Sequence, residues 1–187
     1  KLNLVQHSLV RHRSINNKLI IPTKLSNVNC LYAYDQTSVQ YFNETVFSAT
    51  NNLENIYFFK NKLTLTHFAS NSDFSVLFVG SPFCEKLHID IFEKVKMISN
   101  IMVYYKPHPL YKINSEILKQ EWEVIYNKTV FPSVDLLISY PSTLVSEYLD
   151  QGVHSFVHPI DMVVESSHDF TEEIMNHIKT VTSEYKN

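Results

Sequence analysis

Lys106, His108, Ser142 and Thr143 are the residues of this 187-residue chain whose types and spacing best fit one chemistry. They sit in two similar segments, Val103-Tyr-Tyr-Lys-Pro-His-Pro109 and Asp135-Leu-Leu-Ile-Ser-Tyr-Pro-Ser-Thr143. Each is a run of strand-forming residues that breaks at a proline and then offers polar groups. Two parallel strands ending side by side would bring a cation, an imidazole, two hydroxyls and the start of a helix to one rim. That combination suits a phosphate or pyrophosphate.

His108 lies between Pro107 and Pro109, which forbid helix and hold the imidazole in a rigid loop. An imidazole can donate to a phosphate oxygen, more strongly when protonated. Lys106 offers a positive charge, although a lysine at a strand end is often merely solvated. Ser142 is a natural helix cap, a role compatible with anion binding. Glu147, five residues on, is too far along the helix to favour a phosphate but could accept both hydroxyls of a ribose. His158, before Pro159, ends a later strand on the same rim and is a further cleft candidate. So is His7, which follows the first apolar run. Arg11, His12 and Arg13 read as a solvated cluster.

Several chemistries are excluded. With glycine only at positions 80 and 152, the chain has neither a P-loop nor a G-x-G-x-x-G turn. A phosphate site must therefore be built from side chains and helix ends. There is no G-x-S-x-G elbow for serine hydrolysis. No His/Cys/Asp spacing matches a zinc site. The net charge of -3 argues against general nucleic-acid binding. No apolar run nears the roughly 20 residues of a membrane span, and the first ten residues do not read as a signal peptide. Cys30 and Cys84 read as reduced structural thiols, so a cytoplasmic setting is expected. Because it starts at Lys1 without methionine, the chain reads as a piece of something longer.

The elements that must position these residues follow from periodicity. Residues 75–80 form a continuous apolar run, as in a strand buried on both faces. Leu87, Ile91, Val95 and Ile98 recur at helical spacing. Strands are predicted at 101–105, 122–126, 134–139 and 153–157, and helices at 115–120, 142–149 and 170–186, with Gly152 closing the second of these. Strand and helix in alternation predict an α/β, Rossmann-like parallel sheet with helices on both faces. Residues 1–70 are less regular, with strands at 2–6, 28–34 and 56–59 and a helix at 35–42 capped by Asp35 or Thr37. A boundary is expected in the polar stretch 64–73.

With these motifs in this order, the chain resembles the C-terminal, donor-binding half of GT-B glycosyltransferases. More narrowly, it resembles bacterial capsule and lipooligosaccharide sialyl- and polysialyltransferases and the teichoic-acid glycerophosphotransferases. Those families share a His-Pro motif, here His108-Pro109, and a Ser-Ser or Ser-Thr motif, here Ser142-Thr143. The resemblance implies that both motifs contact the donor phosphate and that Glu147 binds ribose. Leu4-Val-Gln-His-Ser8 is similar to a Gln-His-Gly segment before the domain crossover, with Ser8 in place of the glycine. Residues 1–70 would then be the tail of the acceptor-side domain or a linker, and 71–187 the nucleotide-sugar domain.

The expected function is transfer of a sugar from a CMP-, CDP- or UDP-linked donor to a bacterial surface glycan or lipid-linked acceptor. His108 would be the catalytic group and would protonate the departing phosphate. No metal is implied, because Lys106, His108 and the helix starting at Ser142 would offset the leaving phosphate, and no cofactor, because the nucleotide sugar is itself a substrate. Peripheral attachment at the inner face of the membrane, or self-association, is compatible with such acceptors. The rival readings are a UDP-sugar 2-epimerase, which would show glycine where Thr143 stands, a glycerophosphotransferase, and a non-catalytic α/β module that binds a partner.

Overall fold

A computed structural model describes residues 2–6, 23–59, 63–69 and 72–184. The chain divides into two compact units, Lys1–Lys62 and Leu63–Asn187. In the first, β1 (Leu2–Val5), β2 (Val28–Ala33) and β3 (Asn55–Phe58) form a parallel sheet in the order β1-β2-β3. Helix α1 (Gln36–Tyr41) follows β2, and Asp35 caps it by accepting from the Ser38 N–H at 2.7 Å. Val28, Leu31, Ala33, Val39 and Phe47 make this unit's core.

The second unit carries a five-stranded parallel sheet. Its strands are β4 (Phe74–Val79), β5 (Ile101–Lys106), β6 (Glu123–Val124), β7 (Leu136–Ser139) and β8 (His154–Val157), in the order β6-β5-β4-β7-β8. The chain starts at the centre, builds outward to β6, then crosses back to place β7 on the other side of β4. The architecture is thus α/β and Rossmann-like. The order reverses beside β4, and in open parallel sheets ligands bind outside the carboxyl ends at such a reversal.

The two-residue alternation of strand side chains sorts the core into two layers. Phe74, Val76 and Phe78 of β4, Val103 and Tyr105 of β5, and Leu136 and Ile138 of β7 share one face. They pack on helices α2 (Glu85–Val95), α3 (Ser115–Leu118) and α5 (His168–Glu184), through Leu87, Ile91, Ile117 and Ile174 among others. Leu77, Val79, Tyr104 and Leu137 face the other way, onto Val145 and Tyr148 of helix α4 (Thr143–Leu149). Helices on both faces explain why β4 and β7 read as unbroken apolar runs. Each such side chain, fully buried, contributes roughly 1.5–3 kcal/mol of transfer free energy. Among the described residues no helix is long and apolar enough to cross a membrane.

Two local devices fix the rim. Helix α4 ends in a Schellman motif: the Val153 N–H donates to Tyr148 O at 3.1 Å and the Gly152 N–H to Leu149 O at 2.9 Å. Gly152 has φ +82°, the left-handed conformation glycine adopts without penalty. At the other glycine, Gly80, a Cβ would collide with the hydroxyl and ring of Tyr105, so any larger residue at the end of β4 requires that ring to shift.

Candidate functional site

The carboxyl ends of β4, β5, β6 and β7 enclose a cavity of about 400 Å³. Lys106, His108, Ser142, Thr143 and Glu147 all line it, beside Gly80, Ile125, Tyr126, Phe131 and Tyr140. The five residues singled out from sequence for a nucleotide therefore meet at one cavity, whose volume falls in the usual range for small-ligand sites. The strands deliver them because β4 pairs in parallel with both β5 and β7, with Val79 opposite Lys106 and Ser139.

His108 leaves β5 through Pro107. Its Nδ1 accepts the Leu110 N–H at 3.2 Å, and its ring lies 4.8 Å from that of Tyr111. An Nδ1 that accepts an N–H carries no proton, so the neutral ring holds its proton on Nε2 as a donor. Partial burial lowers the imidazole pKa from its ordinary value. A bound phosphate would act in the opposite sense, because an adjacent anion favours the imidazolium.

Lys106 is disposed differently from the solvated cation its sequence position suggests. It is 8% exposed, and its Nζ donates to the carbonyls of Asn127 at 3.0 Å and Val130 at 2.8 Å. Nζ also stands 4.5 Å from the centroid of Phe131. Burial lowers its pKa to about 8.

Ser142 occupies the cap position of α4, yet its side chain caps nothing. Its Oγ lies 3.3 Å from Ser139 Oγ. Ser139 spends its own proton on Tyr140 O at 2.7 Å, so Ser142 is the donor of the pair. The Ser142 hydroxyl thus does not cap the helix and is held only by the long contact to Ser139. Thr143 begins the helix, and its carbonyl accepts the Ser146 hydroxyl at 2.8 Å. Glu147 follows one turn later on the face that lines the cavity.

His158 does not open on the cleft as its place after β8 suggests. It is wholly buried, and both ring nitrogens are engaged. Its Nδ1 donates to Pro159 O at 2.7 Å, which leaves Nε2 as the acceptor of the His88 Nε2–H at 2.9 Å. His88 Nδ1 then faces Cys84 Sγ at 3.9 Å. Cys84, His88 and His158 form a set whose ligand-type atoms lie within 4.8 Å of one another, a grouping sequence spacing did not reveal. As folded it is a chain of neutral groups. Burial pushes the thiol up to about 11 and both imidazoles down, His88 furthest. A tetrahedral cation would need the thiol deprotonated and the imidazoles parted beyond their present contact. His7, the other cleft candidate, lies outside the described residues.

Neither a family model, nor a curated protein, nor a solved structure matches this chain.

Proposed function

We propose that the second unit binds the nucleotide-sugar donor of a glycosyltransferase and that His108 assists departure of the nucleotide phosphate. One observation carries the reading: Lys106, His108, Ser142, Thr143 and Glu147 line a single cavity beside the reversal of strand order. In the reaction, the bond between the anomeric carbon and the donor phosphate oxygen breaks, the acceptor oxygen forms the new bond to that carbon, and the acceptor's hydroxyl proton passes to solvent. Charge develops on the departing phosphate. The Nε2–H of His108 would donate to it, and the hydroxyls of Ser142 and Thr143 would complete its coordination. The carboxylate of Glu147 would accept hydrogen bonds from the ribose. Side chains meet the phosphate charge in this scheme, so it includes no metal ion. A CMP-, CDP- or UDP-linked donor and a glycan or lipid-linked acceptor complete the proposal, together with a cytoplasmic setting.

Calorimetric titration of the chain with CMP, CDP, UMP and UDP tests the reading, with His108→Ala alongside the wild type. Saturable binding of one nucleotide that the variant loses supports it and identifies the donor class. Absence of binding at millimolar concentrations of all four would overturn it.

A further inference from the structure

Lys106 is a buried cation, and among the described residues no carboxylate is paired with it. Two of its three N–H donors go to backbone carbonyls of the connection between β6 and β7, and its charge lies over Phe131. Burying an ammonium is costly unless its hydrogen bonds are made and its charge is met, here by carbonyl dipoles and an aromatic face. The connection it grips is an irregular turn. The Val130 N–H reaches Asn127 O at 3.3 Å, and the Thr129 N–H and hydroxyl both reach Asn127 Oδ1, at 3.0 and 2.9 Å. These local bonds set the shape of the turn. The two bonds from Nζ tie the carbonyls of Asn127 and Val130 to the end of β5, while the flanks of the turn are anchored separately, by Ile125 N–H to Tyr105 O at 2.8 Å and Thr66 N–H to Phe131 O at 2.7 Å. The same connection supplies Ile125, Tyr126, Lys128 and Phe131 to the cavity wall, three of the four uncharged.

We infer that Lys106 is a positioning residue: it holds residues 127–130 so that the connection forms the wall against which the uncharged, nucleoside part of the ligand rests. The inference rests on the nucleotide reading above and departs from the expectation that Lys106 contacts phosphate. Phosphate falls instead to His108, Ser142 and Thr143. A compact ammonium reaches two carbonyls of one turn, whereas the larger planar guanidinium presents its donors in a fixed fork. Arginine is therefore a poor replacement here, although it would serve well at a phosphate.

The test compares wild type, Lys106→Met and Lys106→Arg by calorimetry, using cytidine, uridine and their mono- and diphosphates. Both variants should weaken nucleoside and nucleotide by a common factor of about tenfold or more, leaving the ratio between them unchanged. A loss confined to the phosphorylated ligands, or retention of affinity by Lys106→Arg, would overturn the inference. Amide exchange of the same proteins supplies a readout that needs no ligand. Exchange at Thr129 and Val130 should quicken in Lys106→Met, while the amides of β4 stay protected and show the variant to be folded. Unchanged exchange at those two amides refutes the role even if no nucleotide binds. If wild type binds no ligand but the amides do loosen, the nucleotide reading fails and the hold of Lys106 on the turn stands.

Discussion

The Nε2 atoms of His88 and His158 face one another at 2.9 Å, and both rings are fully buried. Only one proton fits between them, and the Nδ1–H bond from His158 to Pro159 O fixes which ring supplies it. Protonating either ring would bury a charge against its neighbour. Desolvation lowers both pKa values, and for His88 the mutual repulsion adds to it. The unfolded chain, with an ordinary histidine value near 6.5, takes up protons that the folded chain refuses. Stability is therefore complete above that value and is lost as pH falls below it, by up to about 1.4 kcal/mol per pH unit for each histidine. Urea unfolding between neutral and mildly acidic pH checks this. The His88→Gln/His158→Gln double variant should show a shallower slope, and an equal slope would dismiss the pair as its source.

Gly80 and Tyr105 are coupled through space. In Gly80→Ala the new methyl group meets a tyrosine that is itself wedged against Trp122, with ring centroids 4.6 Å apart. Overpacking of this kind typically costs about 1–3 kcal/mol. Tyr105→Phe keeps the colliding ring and should give little relief. Against Tyr105→Leu the cost of the alanine should shrink markedly, so the two changes should be strongly non-additive in denaturant melts. Additive costs would show that the collision is relieved elsewhere.

The strands of the second unit were legible because β4, β5 and β7 are covered on both faces and so spell out continuous apolar runs. β6 was less so. Residues 122–126 suggest a strand, but the paired segment is only Glu123–Val124; before it, the Trp122 indole turns into the core and donates to Ile117 O at 2.8 Å. The convergence of Lys106, His108, Ser142, Thr143 and Glu147 could be anticipated from two strands that each end at a proline. The engagements of Lys106 and His158 could not. Lys106 binds backbone carbonyls, which carry no residue identity, and His158 pairs with a histidine 70 positions away.

Ser142 and Asp35 both stand at helix starts, yet only Asp35 uses its side chain as a cap. Asp35→Ala should therefore cost about 1 kcal/mol of stability. Ser142→Ala should stay within about 0.5 kcal/mol of wild type while weakening nucleotide binding severalfold. Denaturant melts set beside calorimetric titrations separate the two effects. A destabilised Ser142→Ala with unaltered nucleotide affinity would return this serine to a structural role.

His108 should make nucleotide binding proton-linked. Burial lowers its pKa, and a phosphate beside Nε2 would raise it. Between the two values the complex holds a proton that the free protein lacks, so binding takes up protons and tightens as pH falls. The nucleotide phosphate titrates as well, which makes His108→Gln the necessary control. Calorimetry in buffers of different ionisation enthalpy measures the uptake directly. Wild type should take up a fraction of a proton more than His108→Gln near neutral pH. The same substitution should slow sugar transfer by about 100- to 1,000-fold, the loss typical when one preorganised donor to a developing anion is removed. Equal proton uptake in the two proteins would mean that His108 does not touch the phosphate, and the role of acid would then have to pass to another residue of the cavity.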